Sequence, residues 1–216
     1  MVKFIEEHKP AVLLLKETWC PDDIIMEDFL TFNNAAKKGM FGRAAGGLAA
    51  LVAVNCSITP HEIGHTCPGI LSVMCSIPQK QGYGRGGKNQ NEALIIINTY
   101  FQPGAAQVIQ LRDLSSLVEL FSKKYPTTPI IIMGDFNVRL GSRDQEKFLD
   151  GPMLESFKIP KQVFNVRLGN KKGRKLAEWL AASNQIIVNG HFVDDQSSIS
   201  TFSNGHVESL LDFASI

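Results

Sequence analysis

Short aliphatic runs alternate with polar stretches along the chain, and their spacing predicts its elements. Val12–Leu15, Leu48–Val54, Ile70–Met74, Leu94–Ile97, Ile130–Met133 and Ile186–Val188 are aliphatic and mostly β-branched or leucine-rich, which reads as buried strands. Leu111, Leu114, Leu117, Val118 and Phe121 recur at helical spacing between Gln110 and Lys124, and Leu176, Trp179 and Leu180 do so between Arg174 and Asn184. These two segments are expected to be amphipathic helices. The runs at Leu48, Ile70 and Leu94 are joined by Gly-, Pro- and Asn-rich stretches rather than by helices, which disfavours a doubly wound βαβ fold. The pattern predicts an α/β (α+β) sandwich of mostly antiparallel strands flanked by helices.

With 216 residues, 44% of them hydrophobic, the chain can bury about 70% of its unfolded surface, and a single domain over 1–216 is expected. Its 22 Lys+Arg and 21 Asp+Glu give a formal charge of +1, so any contact with nucleic acid must be local rather than the work of a basic body. Cys20, Cys56, Cys67 and Cys75 form no C-x-x-C pair, which favours free thiols in a reducing compartment. Met1 leads directly into charged residues, and no apolar run approaches the roughly 20 residues that span a bilayer. An intracellular chain with no membrane partner is expected.

Three patterns carry chemistry in their spelling but not in their context. His61-Glu62-Ile63-Gly64-His65 satisfies H-E-x-x-H, yet Pro60, Gly64 and Pro68-Gly69 leave no stable helix to bring two imidazoles onto one zinc, and a polar loop is expected. Gly82 to Lys88 spells both G-x-G-x-x-G and G-x-x-x-x-G-K, but a strand follows where a phosphate-binding helix is required. A hairpin or surface loop is expected over Gly82–Asn91, whose Arg85 and Lys88 can still touch a polyanion. Lys171, Lys172, Arg174 and Lys175 form the basic cluster and read as a solvated helix start.

Carboxylates at strand ends are more informative. Glu17 follows Val12–Lys16, Asp135 follows Ile130–Gly134, and a third carboxylate, Asp212, follows Ser209-Leu210-Leu211. Strand ends are where rigid scaffolds present chemistry. Magnesium needs only one or two protein carboxylates beside its waters and a substrate phosphate, a role that suits Glu17. Asp135 and Asn137, alternate residues expected on one face, would supply an acceptor and an amide to orient and deprotonate a water. The hexapeptide FNVRLG occurs twice, at 136–141 and 164–169, but only the first copy follows Gly-Asp, so the second is expected to be inert.

In this order, Leu15-Lys16-Glu17-Thr18-Trp19, Gly42–Ala49, Ile97-Asn98-Thr99-Tyr100, Gly134-Asp135-Phe136-Asn137, Thr201-Phe202 and Ser209–Phe213 give the chain a resemblance to the endonuclease/exonuclease/phosphatase superfamily. It is most similar to the apurinic-type endonuclease domain of LINE-type (non-LTR) retrotransposon polyproteins. The resemblance implies a four-layer sandwich of two packed mixed β-sheets flanked by helices. It further implies magnesium-dependent DNA nicking with manganese as a substitute metal, nuclear action, and a place in a longer polyprotein with a reverse transcriptase domain. It makes Glu17 the metal ligand, Asp135 the group that activates water, Tyr100 and Asn137 phosphate-side groups, and Asp212 the late catalytic aspartate. Thr201 and Ser209 become supporting polar contacts. The family's first strand, carrying Asn, and its last, carrying Ser-Asp-His, have no counterpart here, so a chain shortened at both ends and weak in catalysis is expected. Two rival readings are a catalytically dead binding or assembly remnant of the same fold and a phosphomonoesterase of the same superfamily.

Overall fold

The computed structural model describes residues 2–38, 42, 44–78, 92–104, 106–141, 169–187, 202–203, 208–209 and 212–215. Its elements are those of an α+β fold, and every strand pairing whose register is defined is antiparallel. The chain divides into two compact units, one of residues 1–100 and 117–130, the other of 101–116 and 131–216.

The first unit opens with a short helix, α1 (Val2–His8), and continues through eight strands: β1 (Val12–Lys16), β2 (Phe29–Asn34), β3 (Lys37–Lys38), β4 (Ala44–Ala45), β5 (Leu48–Ala53), β6 (Thr59–Cys67), β7 (Ile70–Ile77) and β8 (Glu92–Tyr100). β5 lies between β1 and β2, with Leu14 opposite Ala50 and Phe32 opposite the same residue from the other side. β7 lies between β6 and β8, with Val73 opposite Ile96. Leu48 and Ala50 of the first sheet share a core with Leu71, Val73, Cys75 and Ile96 of the second, so the two sheets pack face to face. Each large aliphatic side chain buried there contributes about 1.5–3 kcal/mol. Two buried or half-buried amides tie the sheets together. Asn98 Nδ2 donates to Leu15 O (2.9 Å) and Ala49 O (3.2 Å), and Asn34 Nδ2 donates to Cys67 O (2.8 Å) and Ile70 O (3.2 Å).

The second unit contains the start of α2 (Ala106–Lys124), most of β9 (Ile130–Asp135), α3 (Lys171–Ala182), the short pair β10 (Phe202–Ser203) and β11 (Glu208–Ser209), and β12 (Asp212–Ser215). β12 runs antiparallel to β9 from Ser215 opposite Ile132 to Asp212 opposite Asp135. α3 is capped by Asn170, whose side chain accepts from Gly173 N (2.7 Å), and it buries Gly173, Leu176, Ala177 and Leu180. Gly173 is a close-approach position, since a Cβ there would stand 1.8 Å from Arg139 O.

Both helices start earlier than the apolar spacing predicts, at Ala106 and Lys171: the second has a polar first turn, and in the first Val108 and Ile109 are exposed and so fall outside the buried stripe that the spacing follows. β2 and β6 are absent from the expectations. β2 ends in Asn33-Asn34, which make tertiary hydrogen bonds rather than a turn, and β6 carries Pro60 and a register shift between Glu62 and Thr66. An edge strand tolerates both features, and β6 is at the edge of its sheet. The H-E-x-x-H stretch is therefore a strand rather than the expected loop. A strand irregular between Glu62 and Thr66 does not stack residues 61 and 65 one helical turn apart, as the zinc arrangement requires. At the expected Ile186–Val188 strand, Ile187 forms only an isolated bridge, and Val188 lies outside the described residues. All four cysteines are free. Among the described residues, no helix is long and apolar enough to cross a membrane.

Candidate active site

β1 delivers Glu17 to the sheet end, and the chain there turns sharply: Glu17 and Trp19 both have φ 50°. Left-handed backbone is costly for side chains of this kind, about 1–3 kcal/mol each. It persists because the Gly46-Gly47 approach to β5 braces the turn from the next strand. Thr18 N donates to Gly47 O (3.2 Å) and Trp19 N to Gly46 O (2.9 Å). Gly47 itself has φ 90°, and a Cβ there would stand 2.3 Å from Thr18 Oγ1, so only glycine fits beside the Glu17 turn. The result is an exposed carboxylate. Its Oε1 accepts from the Tyr100 hydroxyl at 2.5 Å. The Tyr100 ring packs against the Leu48 core, its amide donates to Gly69 O, and only its polar tip reaches the site. Trp19, two residues after Glu17, is 54% exposed.

β9 delivers Asp135, and here the local geometry differs from the expected alternation along a strand. Asn137 has φ 50°, so the chain leaves the extended conformation and the pair is joined by a turn. Asp135 Oδ1 accepts from Asn137 N (2.8 Å), an Asx turn, and Asn137 Nδ2 donates to Phe101 O (2.8 Å) and, at 3.4 Å, to Asp135 Oδ2. Phe101 N in turn donates to Asp135 O (2.8 Å). Phe136, between the two polar residues, is buried and meets Phe101 edge to face with ring centroids 5.0 Å apart. Val138 and Leu140 continue the buried alternation through FNVRLG. Asp212 is the register partner of Asp135 in the β9–β12 ladder, so two aspartates stand opposite one another at that end.

The structure thus joins Glu17 with Tyr100 in the first unit, and Asp135 with Asn137 and Asp212 in the second. Ser209 is in β11, opposite Phe202. Thr201, Arg85 and Lys88, the Gly82–Asn91 stretch and the second FNVRLG copy up to Leu168 lie outside the described residues. Lys172 of the basic cluster donates to Gly104 O at 2.5 Å, so that residue is a structural tie, while Lys171, Arg174 and Lys175 are exposed as expected.

No family model and no curated protein matches the sequence. Among solved structures the chain is similar to a truncated TDP2 of Caenorhabditis elegans, at 12% identity and a TM-score of 0.49, over 99% of this chain and 73% of that one. It is similar to another TDP2 structure from C. elegans at 11% identity and a TM-score of 0.46, over 99% of this chain and 56% of that one. An endonuclease/exonuclease/phosphatase family protein from Bacteroides thetaiotaomicron gives 12% identity and a TM-score of 0.40, over 99% of this chain and 63% of that one.

Sequence reasoning missed two residues that shape these groupings. Gly47 was legible as part of a Gly-Gly pair, but its contact with Thr18 arises only when β5 is laid beside β1. Gln107, which donates to Phe136 O (3.3 Å) and Asn137 O (2.7 Å), sits in the first turn of α2, ahead of the apolar stripe, where no pattern distinguishes it.

The donor chemistry of Glu17 fits a hard divalent cation. One exposed carboxylate, with one oxygen already held by a phenol, matches the preference of magnesium for a few oxygen ligands and retained waters. Among the described residues, no three His, Cys, Asp or Glu side chains gather into a denser metal cage.

Proposed function

We propose that the chain is a magnesium-dependent phosphodiesterase that nicks DNA, of the retrotransposon endonuclease type, within a longer polyprotein that carries a reverse transcriptase domain and acts on nuclear DNA. The observation that carries the reading is the Asp135–Asn137 turn: a carboxylate at a strand end, fixed by the amide two residues on, in the Gly-Asp-Phe-Asn sequence on which the superfamily resemblance rests. The ordered motifs before and after it support the same reading.

In this reading Asp135 takes a proton from water as its oxygen attacks phosphorus, and the phosphorus–oxygen bond to the leaving nucleoside breaks on the opposite side. Asn137 holds Asp135 in the reactive rotamer. Its Nδ2–H in the long 3.4 Å contact is the one available to a phosphate oxygen. Asp212 acts as a further catalytic carboxylate. Glu17 holds the metal, and Tyr100 fixes the rotamer of Glu17 through its hydroxyl. Magnesium, or manganese in its place, supplies charge neutralisation on the phosphoryl and leaving oxygens when bound. Thr201, Ser209, Arg85 and Lys88 are substrate contacts carried over from the sequence. The exposed Trp19 favours a base-bearing substrate over a small phosphomonoester, because an aromatic face stacks on any base.

The test is nicking of supercoiled plasmid by this chain in magnesium, with EDTA and Asp135→Ala as controls and inositol phosphates as competitors. Nicking that both controls abolish and inositol phosphates leave intact is the expected result. A folded chain that never nicks would be a binding remnant, and competition by inositol phosphates would move the activity to phosphomonoesters.

A further inference from the structure

The first turns of α2 reach both chain segments that hold Asn137. Gln107 is 4% exposed, and its Nε2 donates to the carbonyls of Phe136 and Asn137. One helical turn later Gln110, also buried, accepts from Gln102 N at 2.8 Å. That bond fixes the segment whose Phe101 carbonyl receives Asn137 Nδ2. Asn137, whose residue type tolerates the left-handed conformation it adopts, is thereby held at its backbone carbonyl, its amide nitrogen and its side chain.

The other end of the Gln107 carboxamide is the informative one. Among the described residues no donor reaches its buried Oε1. The amide cannot be turned round to relieve this, because Nε2 faces two carbonyl oxygens that both require a donor. Gln107 also lines an open, largely apolar pocket of about 30 Å³, walled by Val108, Leu111, Val138 and Leu176 with Lys172 and Lys175. Buried acceptors without partners are scarce in folded proteins because they are destabilising.

We infer that Gln107 is a positioning residue for Asn137: it keeps an unfavourable buried acceptor because its amide fixes the two carbonyls that set the Asn137 side chain against Asp135. The inference rests on the phosphodiesterase reading for what the positioning achieves.

Gln107→Met keeps length and shape and removes the unpartnered acceptor, but it also takes the Gln107 donor away from the Phe136 and Asn137 carbonyls, so folding is measured beside activity. Plasmid nicking, thermal melting and the Asn137 side-chain amide in a ¹H–¹⁵N spectrum are measured for wild type, Gln107→Met and Asp135→Ala. The expected result is a folded Met variant with a modestly lowered Tm, kcat lower by about 10- to 100-fold, and KM within about twofold, because a small displacement of an orienting group is felt in the chemical step. The Asn137 amide protons should also lose their protection from solvent exchange. An unchanged kcat with an unchanged Asn137 amide overturns the inference, and so does a Met variant that fails to fold, since glutamine would then be there for stability. If wild type nicks, Asp135→Ala does not, and Gln107→Met behaves as wild type, the inference alone fails. If wild type never nicks but the Asn137 amide still loses protection in Gln107→Met, the phosphodiesterase reading fails while the link from Gln107 to Asn137 stands.

Discussion

Glu17 and Asn137 each follow an apolar strand, and each has φ 50°, yet the protein holds them in opposite ways. At Glu17 the backbone is braced by the Gly46 and Gly47 carbonyls, while the carboxylate is exposed and meets a single described hydrogen-bond donor, the Tyr100 hydroxyl. At Asn137 the side chain itself is locked, through Phe101 O and Asp135, and Gln107 holds its carbonyl from the core side. The difference follows from the two jobs proposed for them. A metal ligand must exchange waters and follow its ion, so a fixed backbone under a loosely held carboxylate suffices. A group that orients a base must keep one geometry to within a fraction of an ångström, so every rotatable bond is restrained.

The largest expected effect is at the carboxylates. Asp135→Ala and Glu17→Ala should each lower plasmid nicking by about 10²- to 10⁴-fold while leaving the melting transition in place. Raising magnesium should recover part of the activity of Glu17→Ala and none of that of Asp135→Ala. Equal recovery in both would erase the distinction between the two regions. Next comes the glycine beneath Glu17. Gly47→Ala places a Cβ 2.3 Å from Thr18 Oγ1 on a backbone that disfavours it, and should cost about 1–3 kcal/mol in a urea melt. Gly42→Ala, with φ 80° and open space around it, should cost only the strain of its backbone, about 1 kcal/mol.

Tyr100→Phe keeps the ring against the Leu48 core and removes only the hydroxyl on Glu17 Oε1. Stability should change by no more than about 1 kcal/mol, while kcat falls roughly tenfold as the Glu17 rotamer is released. An unchanged kcat would make Tyr100 a core aromatic and nothing more. Trp19→Ala should raise KM for DNA about fivefold, the equivalent of one weak base stack, with kcat and Tm unaffected. The smallest effect is a pH slope. Burial first, and the neighbouring Cys56 second, push the Cys75 thiol above its ordinary value. Folding therefore favours the protonated thiol, so this contribution to stability is full below the ordinary thiol range and declines as pH rises through it. Urea melts between neutral and alkaline pH should show a shallower decline in Cys75→Ala than in wild type.

The strands that sequence revealed were those whose apolar residues are contiguous: β1, β7, β8 and β9 each contain the run predicted for them, and β5 covers its run but for Val54. β2 and β6 escaped because their polar and proline positions are satisfied by partners distant in the chain, Asn34 by Cys67 and Ile70, and Pro60 by its place at a sheet edge. Glu17, Tyr100, Asp135 and Asn137 were legible as strand-end polar residues in recognisable motifs. Their actual contacts were not, since Tyr100 meets Glu17 across 83 positions of sequence. Even the Asp135–Asn137 pair, only two residues apart, is made by a turn at φ 50° rather than by the strand alternation that its spelling suggests.

By itself, then, the sequence determined the α+β class, the free thiols and the identity of the polar residues at the strand ends, because these depend on composition and short-range periodicity. Tertiary structure decided which of those residues meet, why Gly47 must be glycine, and that Gln107 should sit buried with its amide nitrogen on two backbone carbonyls. Those outcomes depend on which backbone carbonyl lies a hydrogen bond away once strands and helices have packed, and no local pattern in the chain encodes that distance.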